Sequence, residues 1–331
     1  MFYDFIKIPA VVKTGNHILG EIDDLLCSSH LYFPKKILIT QENLYNLYKD
    51  SLDGNDFFMK IFVQGGNVSE APEIIEKCKE TDAILIAFGG GSVIDIVKYC
   101  ANKIDKPYVC IPSTLSNDAV YSSVARLTCN GKKTSFGVQP PVGIIVDFDV
   151  IKKSPKILIL AGVADLTSNL SALQDWLLSH RDTGEPINEI AFMLSKESVM
   201  PLFSYGEKDL LSDPFLFDLT NGLITSGLSM IVCGSTRVTS GAEHLISHAI
   251  DEYFPEKSTI HGLQVGWAHR ILERRYRKGP YSEQVCDFFY RIGLDAAFKD
   301  KIPWNDGRDF DMLIPYARKI RNRYTVLNLI D

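Results

Sequence analysis

Up to about residue 150, short apolar runs alternate with longer stretches in which apolar residues recur near every third or fourth position. Lys36–Thr40, Met59–Val63, Ala83–Phe88, Tyr108–Pro112 and Val142–Asp147 are brief and rich in β-branched residues. Their continuous apolar character fits strands covered on both faces of a parallel sheet. Between them, Glu42–Leu52, Glu70–Lys79 and Val93–Lys103 carry helical spacing, so the order predicts the βαβ alternation of a doubly wound α/β fold. Beyond Ser154 strand-like runs become rare and long helical segments follow, at Lys156–Leu178, Glu189–Leu202, Leu216–Cys233 and Ala242–Ile250. The breakers nearest this change are Pro140-Pro141 and Lys152–Pro155, which place a boundary near residue 155. The expectation is an α/β parallel-sheet domain over 1–155 and an all-α domain over 156–331. No repeat or low-complexity tract interrupts either half.

Composition narrows what such a chain can bind. Across 331 residues, 46% are hydrophobic and 23% charged, enough to bury a sizeable core. The balance of 35 basic against 41 acidic residues leaves a net charge of -6, so no chain-wide cationic field is available for nucleic acid or an anionic membrane. Met1–Lys7 lacks the basic start and apolar run of a signal peptide, and no uncharged apolar stretch has the length of a membrane span. Seven scattered cysteines without a C-x-x-C pair indicate neither a disulfide framework nor a cysteine zinc cluster. Together these features predict a cytoplasmic protein with reduced thiols.

Two segments in the first half carry candidate chemistry. Ile84–Phe88 runs into Gly89-Gly90-Gly91-Ser92, and Val93-Ile94-Asp95 with Lys98 begins a helix. Residues without a Cβ let a backbone approach a diphosphate, and the first N–H groups of a helix face an anion. The segment is neither the G-x-G-x-x-G fingerprint nor a P-loop, and a plain tight turn has the same composition. The next strand ends in Pro112-Ser113-Thr114-Leu115-Ser116-Asn117-Asp118, followed by Tyr121-Ser122-Ser123. In an open α/β sheet, ligands bind outside the carboxyl ends of the strands, where this segment belongs. Helix caps and turns use the same residue types.

The second half holds the only concentration of histidine. Three of seven fall within Gly241-Ala-Glu-His244-Leu-Ile-Ser-His248 and Thr259-Ile-His261-Gly262. His244 and His248 share a helix face, and a turn around Pro255 can bring His261 back toward them. A catalytic zinc site needs three protein ligands and an open position, the third commonly another histidine or a carboxylate. Asp165, read as lying at the start of a long helix, is an acid in a stretch of small and apolar residues. A capping acid and unconnected histidines explain the same residues.

In order and spacing, Gly89–Asp95 with Lys98, Pro112-Ser-Thr with Asp118, Gly162-Val-Ala-Asp165, the His244/His248 pair and His261-Gly-Leu-Gln-Val resemble one superfamily. It joins glycerol-1-phosphate dehydrogenase with glycerol dehydrogenase, iron-type alcohol dehydrogenases and dehydroquinate synthase. Asp165–Trp176, Ser240–Asp251 and the tail Arg323–Leu327 look most like the glycerol-1-phosphate dehydrogenase branch. The resemblance covers nearly the whole chain and implies a Rossmann-like N-terminal domain, a helical C-terminal domain and an active site in the cleft between them. It implies that Asp165, His244 and His261 bind zinc, with Asn169 where an iron-type enzyme has another histidine. Gly90, Gly91, Ser92, Val93, Ile94, Asp95, Ser113, Thr114, Leu115, Ser116 and Ser122 would bind NAD or NADP. Asp118 and His248 would face the substrate and act in catalysis, with Asp165 also beside it.

One departure concerns the coenzyme. After the first strand of the sheet the family tends to have an aspartate able to hold the adenosine ribose hydroxyls, whereas here Thr40 is followed by Gln41-Glu42-Asn43. A neutral Gln41 does not repel a 2′-phosphate and no adjacent arginine attracts one, so both coenzymes stay open. Arg126, Lys132, Lys133 and Arg237 are candidates for gripping a substrate phosphate, with solvated surface charge as the plainer alternative. The function expected by resemblance is interconversion of dihydroxyacetone phosphate and sn-glycerol 1-phosphate by a homo-oligomeric enzyme. A sugar-phosphate cyclase using NAD transiently, a dehydrogenase of another polyol and a binding protein without turnover remain as alternatives.

Overall fold

The computed structural model describes residues 8–277 and 279–330; Met1–Lys7, on which the reading of the leader rests, lies outside them. The described chain divides into two compact units, one running to Leu115 and resuming over Ala119–Ser154, the other formed by Ser116–Asp118 with the residues from Pro155 onward.

The first unit is built on a six-stranded sheet. Its strands are β1 (Val11–Gly15), β2 (Lys35–Thr40), β3 (Met59–Phe62), β4 (Ala83–Gly89), β5 (Tyr108–Pro112) and β8 (Gly143–Asp147), while β6 (Val124–Cys129) and β7 (Lys132–Gly137) form a separate hairpin. The sheet order is β1-β8-β5-β4-β2-β3, and every neighbouring pair is parallel. The two-residue period of a strand sends alternate side chains to opposite faces. Ile37, Ile39, Leu85 and Ala87 therefore pack with Val93, Ile96 and Val97 of the helix Gly91–Lys103, while Leu38, Ile84, Ile86 and Phe88 pack with Leu19, Ile22 and Tyr48 on the other side. Both faces are buried, which is why these strands read as unbroken apolar runs.

Two strand features depart from the sequence reading. β1 is Val-Val-Lys-Thr-Gly, an edge strand with only Val11 fully buried, and it carries no apolar run to detect. The β6–β7 hairpin turns through Asn130 and Gly131, both with positive φ, the conformation a two-residue turn of this kind requires.

The second unit is helical among its described residues. The expected helix 156–178 is two, Lys156–Thr167 and Asn169–Thr183, joined at Ser168, whose backbone is itself close to helical. The Thr167 hydroxyl donates to the Val163 carbonyl at 2.6 Å and the Ser168 hydroxyl to that of Asp165 at 2.6 Å, local bonds of the kind that bend helices. Asp165 is consequently near the C-terminal end of the first helix, not at the start of a long one, so the capping-acid alternative does not apply. The segments 156–183 and 213–233 are long and apolar enough to cross a membrane by length and composition. The most apolar window of the first is 83% buried inside the protein, as for a core helix.

The helices Ala242–Tyr253 and His261–Arg275 complete the setting of the histidines, with a short 3-10 turn at Pro255–Lys257 between them. Gly262 and Gly266 let the second of these lie against Lys156–Thr167. A Cβ on Gly262 would stand 2.7 Å from the Ala161 carbonyl carbon, and one on Gly266 would stand 2.5 Å from the Ala164 Cβ. This glycine seam is what brings His261 level with Asp165.

Candidate metal centre and dinucleotide turn

In the first unit, β4 ends at Gly89 and the helix begins at Gly91, with Gly90 as its N-cap. A Cβ on Gly89 would stand 2.7 Å from that of Val93, so the turn closes this tightly only with glycine. Gly90 and Gly91 are half-buried and Ser92 is exposed, which leaves this corner open to a ligand. Val93, Ile94 and Leu115 are buried, and contact with a ligand there is confined to their backbone. Asp95 and Ser122 are buried. The Arg126 N–H donates to Asp95 Oδ2 at 3.0 Å, and fully buried Lys98 donates to the Ser122 hydroxyl at 3.0 Å. Burial pushes the Asp95 carboxyl up, against the pull of Lys98. These groups tie the β6–β7 hairpin to the helix.

Ser113 is buried and its N–H donates to the Gly89 carbonyl at 2.9 Å, which fixes the end of β5 beside the glycine turn. Thr114 and Ser116 are half-buried. Gln41, directly after β2, donates its side-chain amide to the Gln64 carbonyl at 2.7 Å.

The second unit brings Asp165, His244 and His261 together, with one ligand atom from each inside a 4.8 Å span. Asp165 Oδ1 lies 3.6 Å from His244 Nε2 and 3.8 Å from His261 Nε2. Oδ1 is buried and has no hydrogen-bond partner, while Oδ2 accepts the Asp118 N–H at 3.3 Å. Separations of this size are long for direct hydrogen bonds and close to the ~3.3 Å between two ligands each ~2.0 Å from a tetrahedral ion. An oxygen orphaned in the interior and facing two imidazole nitrogens is what a divalent cation would satisfy. The donor set of two nitrogens and one carboxylate oxygen suits a divalent transition metal such as zinc or iron.

The electrostatics agree with a cation there. Burial works against an ionised Asp165, yet the facing imidazoles of His244 and His261 outweigh it and hold the carboxyl below its ordinary value. Burial pulls His244 down, but Asp165 and Glu243 carry it up to about 9. Near neutral pH that imidazole holds a proton which a metal must displace. Burial also pushes Glu243 up, and His244 and Arg277 reverse this and hold it at about 2.

His248 completes the cluster, its ring centroid 6.1 Å from that of His244 and 5.8 Å from that of His261. It is half-buried on the same face of its helix as His244. Asn169 is turned away, its amide donating to the hydroxyls of Ser198 at 3.1 Å and Ser226 at 2.9 Å. Arg237 is not a solvated surface charge: it is 4% exposed, and its Nη2 donates to the carbonyls of Asp175 and Tyr324. Lys132 and Lys133 are exposed.

Spacing did not reveal the groups behind the histidines. Glu243 Oε1 is 3.0 Å from His244 Nδ1, and the Ser247 Oγ is 3.1 Å from His261 Nδ1. The adjacency of Glu243 to His244 in sequence was visible, but no periodicity rule predicts that neighbouring side chains on a helix will meet.

Comparison with known proteins adds an independent line. Residues 14–155 match the family described as iron-containing alcohol dehydrogenase. A glycerol-1-phosphate dehydrogenase [NAD(P)+] of Pyrococcus horikoshii is 33% identical over 97% of this chain and 93% of its own length. One of Methanococcus aeolicus is 36% identical over 97% and 94%. Among solved structures, glycerol dehydrogenase from Schizosaccharomyces pombe has a similar fold, with a TM-score of 0.76 at 19% identity over 98% of this chain and 85% of that one.

Proposed function

The chain belongs to the glycerol-1-phosphate dehydrogenase family, and from that premise we propose that it interconverts dihydroxyacetone phosphate and sn-glycerol 1-phosphate by hydride transfer with NAD(H) or NADP(H). The observation that carries the reading is the partnerless buried oxygen of Asp165 facing His244 and His261. In this reading those three residues hold zinc, which when bound supplies Lewis acidity to the carbonyl being reduced. His248 moves a proton at its ring nitrogen. Asp118 steadies Asp165 through its N–H and offers its own carboxylate to a substrate hydroxyl. Gly90, Gly91 and Ser92 receive the coenzyme diphosphate, with Thr114 and Ser116 in support. The protein acts in the cytoplasm, where seven unpaired thiols stay reduced, and it assembles as a homo-oligomer.

The names of the relatives favour this reaction over a sugar-phosphate cyclase. The test follows NADH and NADPH absorbance with dihydroxyacetone phosphate, dihydroxyacetone, and glycerol 1- and 3-phosphates, before and after zinc addition. Zinc-dependent turnover confined to the phosphorylated pair and selective for the 1-phosphate is expected. No turnover from zinc-loaded protein that binds a dinucleotide would overturn the assignment.

A further inference from the structure

We propose that Glu243 is a positioning residue for the metal centre: it holds His244 as the Nδ1–H tautomer, aims Nε2 at Asp165, and strengthens that nitrogen as a donor. The inference rests on the metal reading above. A carboxylate only accepts hydrogen bonds, so the 3.0 Å contact between Glu243 Oε1 and His244 Nδ1 puts the ring proton on Nδ1. Once a metal displaces the second proton, the other nitrogen presents its lone pair on the side of Asp165 Oδ1, 3.6 Å away.

Glu243 is fully buried and cannot swing forward to become a ligand itself. The Gly241 N–H donates to its Oε1 at 2.6 Å, and the Ser171 hydroxyl donates to its Oε2 at 2.5 Å. Ser171 in turn accepts from Arg277, whose guanidinium lies 2.6 Å from Asp175 Oδ1 and 3.2 Å from Glu273 Oε1. Asp175 is itself anchored by the N–H groups of Ala242 at 2.7 Å and Val326 at 2.8 Å. Any side chain at position 241 would meet Asp175 Oδ2 at 2.6 Å and Glu243 Oε2 at 2.9 Å, so this close stacking of acid and helix turn needs glycine there.

His261 is backed differently. Its Nδ1 faces the Ser247 hydroxyl, which accepts from Gln264 Nε2 at 3.0 Å. An uncharged hydroxyl orients a ring without adding charge behind it, whereas Glu243 does both. The two imidazoles are therefore unequal, and the one behind which the carboxylate stands contributes more to binding.

The test measures Zn2+ affinity of the full-length protein by competition with a chromophoric chelator, alongside the visible spectrum of the Co2+ form and the unfolding temperature of the metal-free form. Glu243→Gln, which keeps an acceptor and loses the charge, should weaken Zn2+ binding about 10–100-fold. Glu243→Ala should weaken it further and alter the Co2+ spectrum, Ser247→Ala should weaken it less, and dinucleotide affinity should not change. Wild-type Zn2+ affinity in a folded Glu243→Gln protein, while His244→Ala loses the metal, would overturn the proposal and leave Glu243 a structural acid. Equal affinity in wild type, Asp165→Asn and His244→Ala would instead overturn the metal reading and this inference with it. Should Glu243→Ala fail to fold, Glu243→Gln alone decides.

Discussion

Replacing Gly262 by alanine should separate two helices and loosen the metal centre in one step. The new Cβ would stand 2.7 Å from the Ala161 carbonyl carbon and 3.1 Å from the Ser116 carbonyl oxygen. The Ala161 carbonyl oxygen lies closer still, and ordinary carbon–oxygen contact begins near ~3.2 Å, so the helices must part by about 1 Å or the backbone must distort. Both obstructing groups are main chain and cannot rotate aside. Alanine is favoured over glycine inside a helix by about 1 kcal/mol, so an unobstructed site would be stabilised. Overpacking costs typically about 1–3 kcal/mol and more against rigid backbone, which leaves a net loss of about 2 kcal/mol. The displacement falls on His261, next in sequence, and a shift approaching 1 Å at one ligand should lower Zn2+ affinity at least about tenfold. Urea unfolding of the metal-free protein and chelator competition measure the two effects. Gly137→Ala, where an added Cβ meets nothing within 4 Å, is the control and should change stability by less than about 0.5 kcal/mol. A Gly262→Ala protein as stable as wild type with the same Zn2+ affinity would refute the close approach.

Asp165→Asn should remove bound zinc and turnover together, read by metal analysis after gel filtration; a metal-replete active variant would reject the ligand. His248→Ala should retain zinc and lose kcat by about 10²–10⁴-fold, the usual range for a lost proton-transfer group. Gly91→Val should weaken dinucleotide binding, followed by fluorescence titration, while zinc content stays unchanged. A fourth concerns acid stability. Burial holds the His269 pKa down to about 4, against the upward pull of Glu273 and Glu243. The unfolded chain takes up the proton first as pH falls, so the stabilisation from neutral His269 is full above about pH 6.5 and declines toward pH 4. The loss should approach about 3 kcal/mol, and His269→Leu should remove that part of the slope of urea midpoint against pH. Parallel slopes in wild type and variant would show that His269 does not titrate this way.

Strands buried on both faces were the most legible part of the chain, because continuous apolar runs admit few other readings. β1 escaped notice because an edge strand buries only part of one face. The β6–β7 hairpin had a sequence signal in Asn130-Gly131, but its alternating exposed lysines and threonines did not read as a core. Asp165, His244 and His261 could be singled out by rarity and company, although Asp165 was assigned to the wrong end of its helix. The buried ladder of Glu243, Ser171, Arg277 and Asp175 was not legible, since its members lie up to about a hundred residues apart and each alone is a common surface residue. Only the three-dimensional path of the helices shows that they share one interior.

The pairing of β1 with β8 has a consequence for how the protein is made. Val11 bonds into register with Gly143, so β1 leaves the ribosome with its one sheet neighbour among the described residues about 130 residues behind it. At roughly 5–20 residues per second β1 waits several seconds or more with that edge unpaired. Because β5 also takes β8 as a neighbour, the sheet gains its sixth strand only when residues 143–147 arrive between the two. Chains halted before residue 143 should therefore stay accessible to protease at Val11–Gly15, and those released after Asp147 should not.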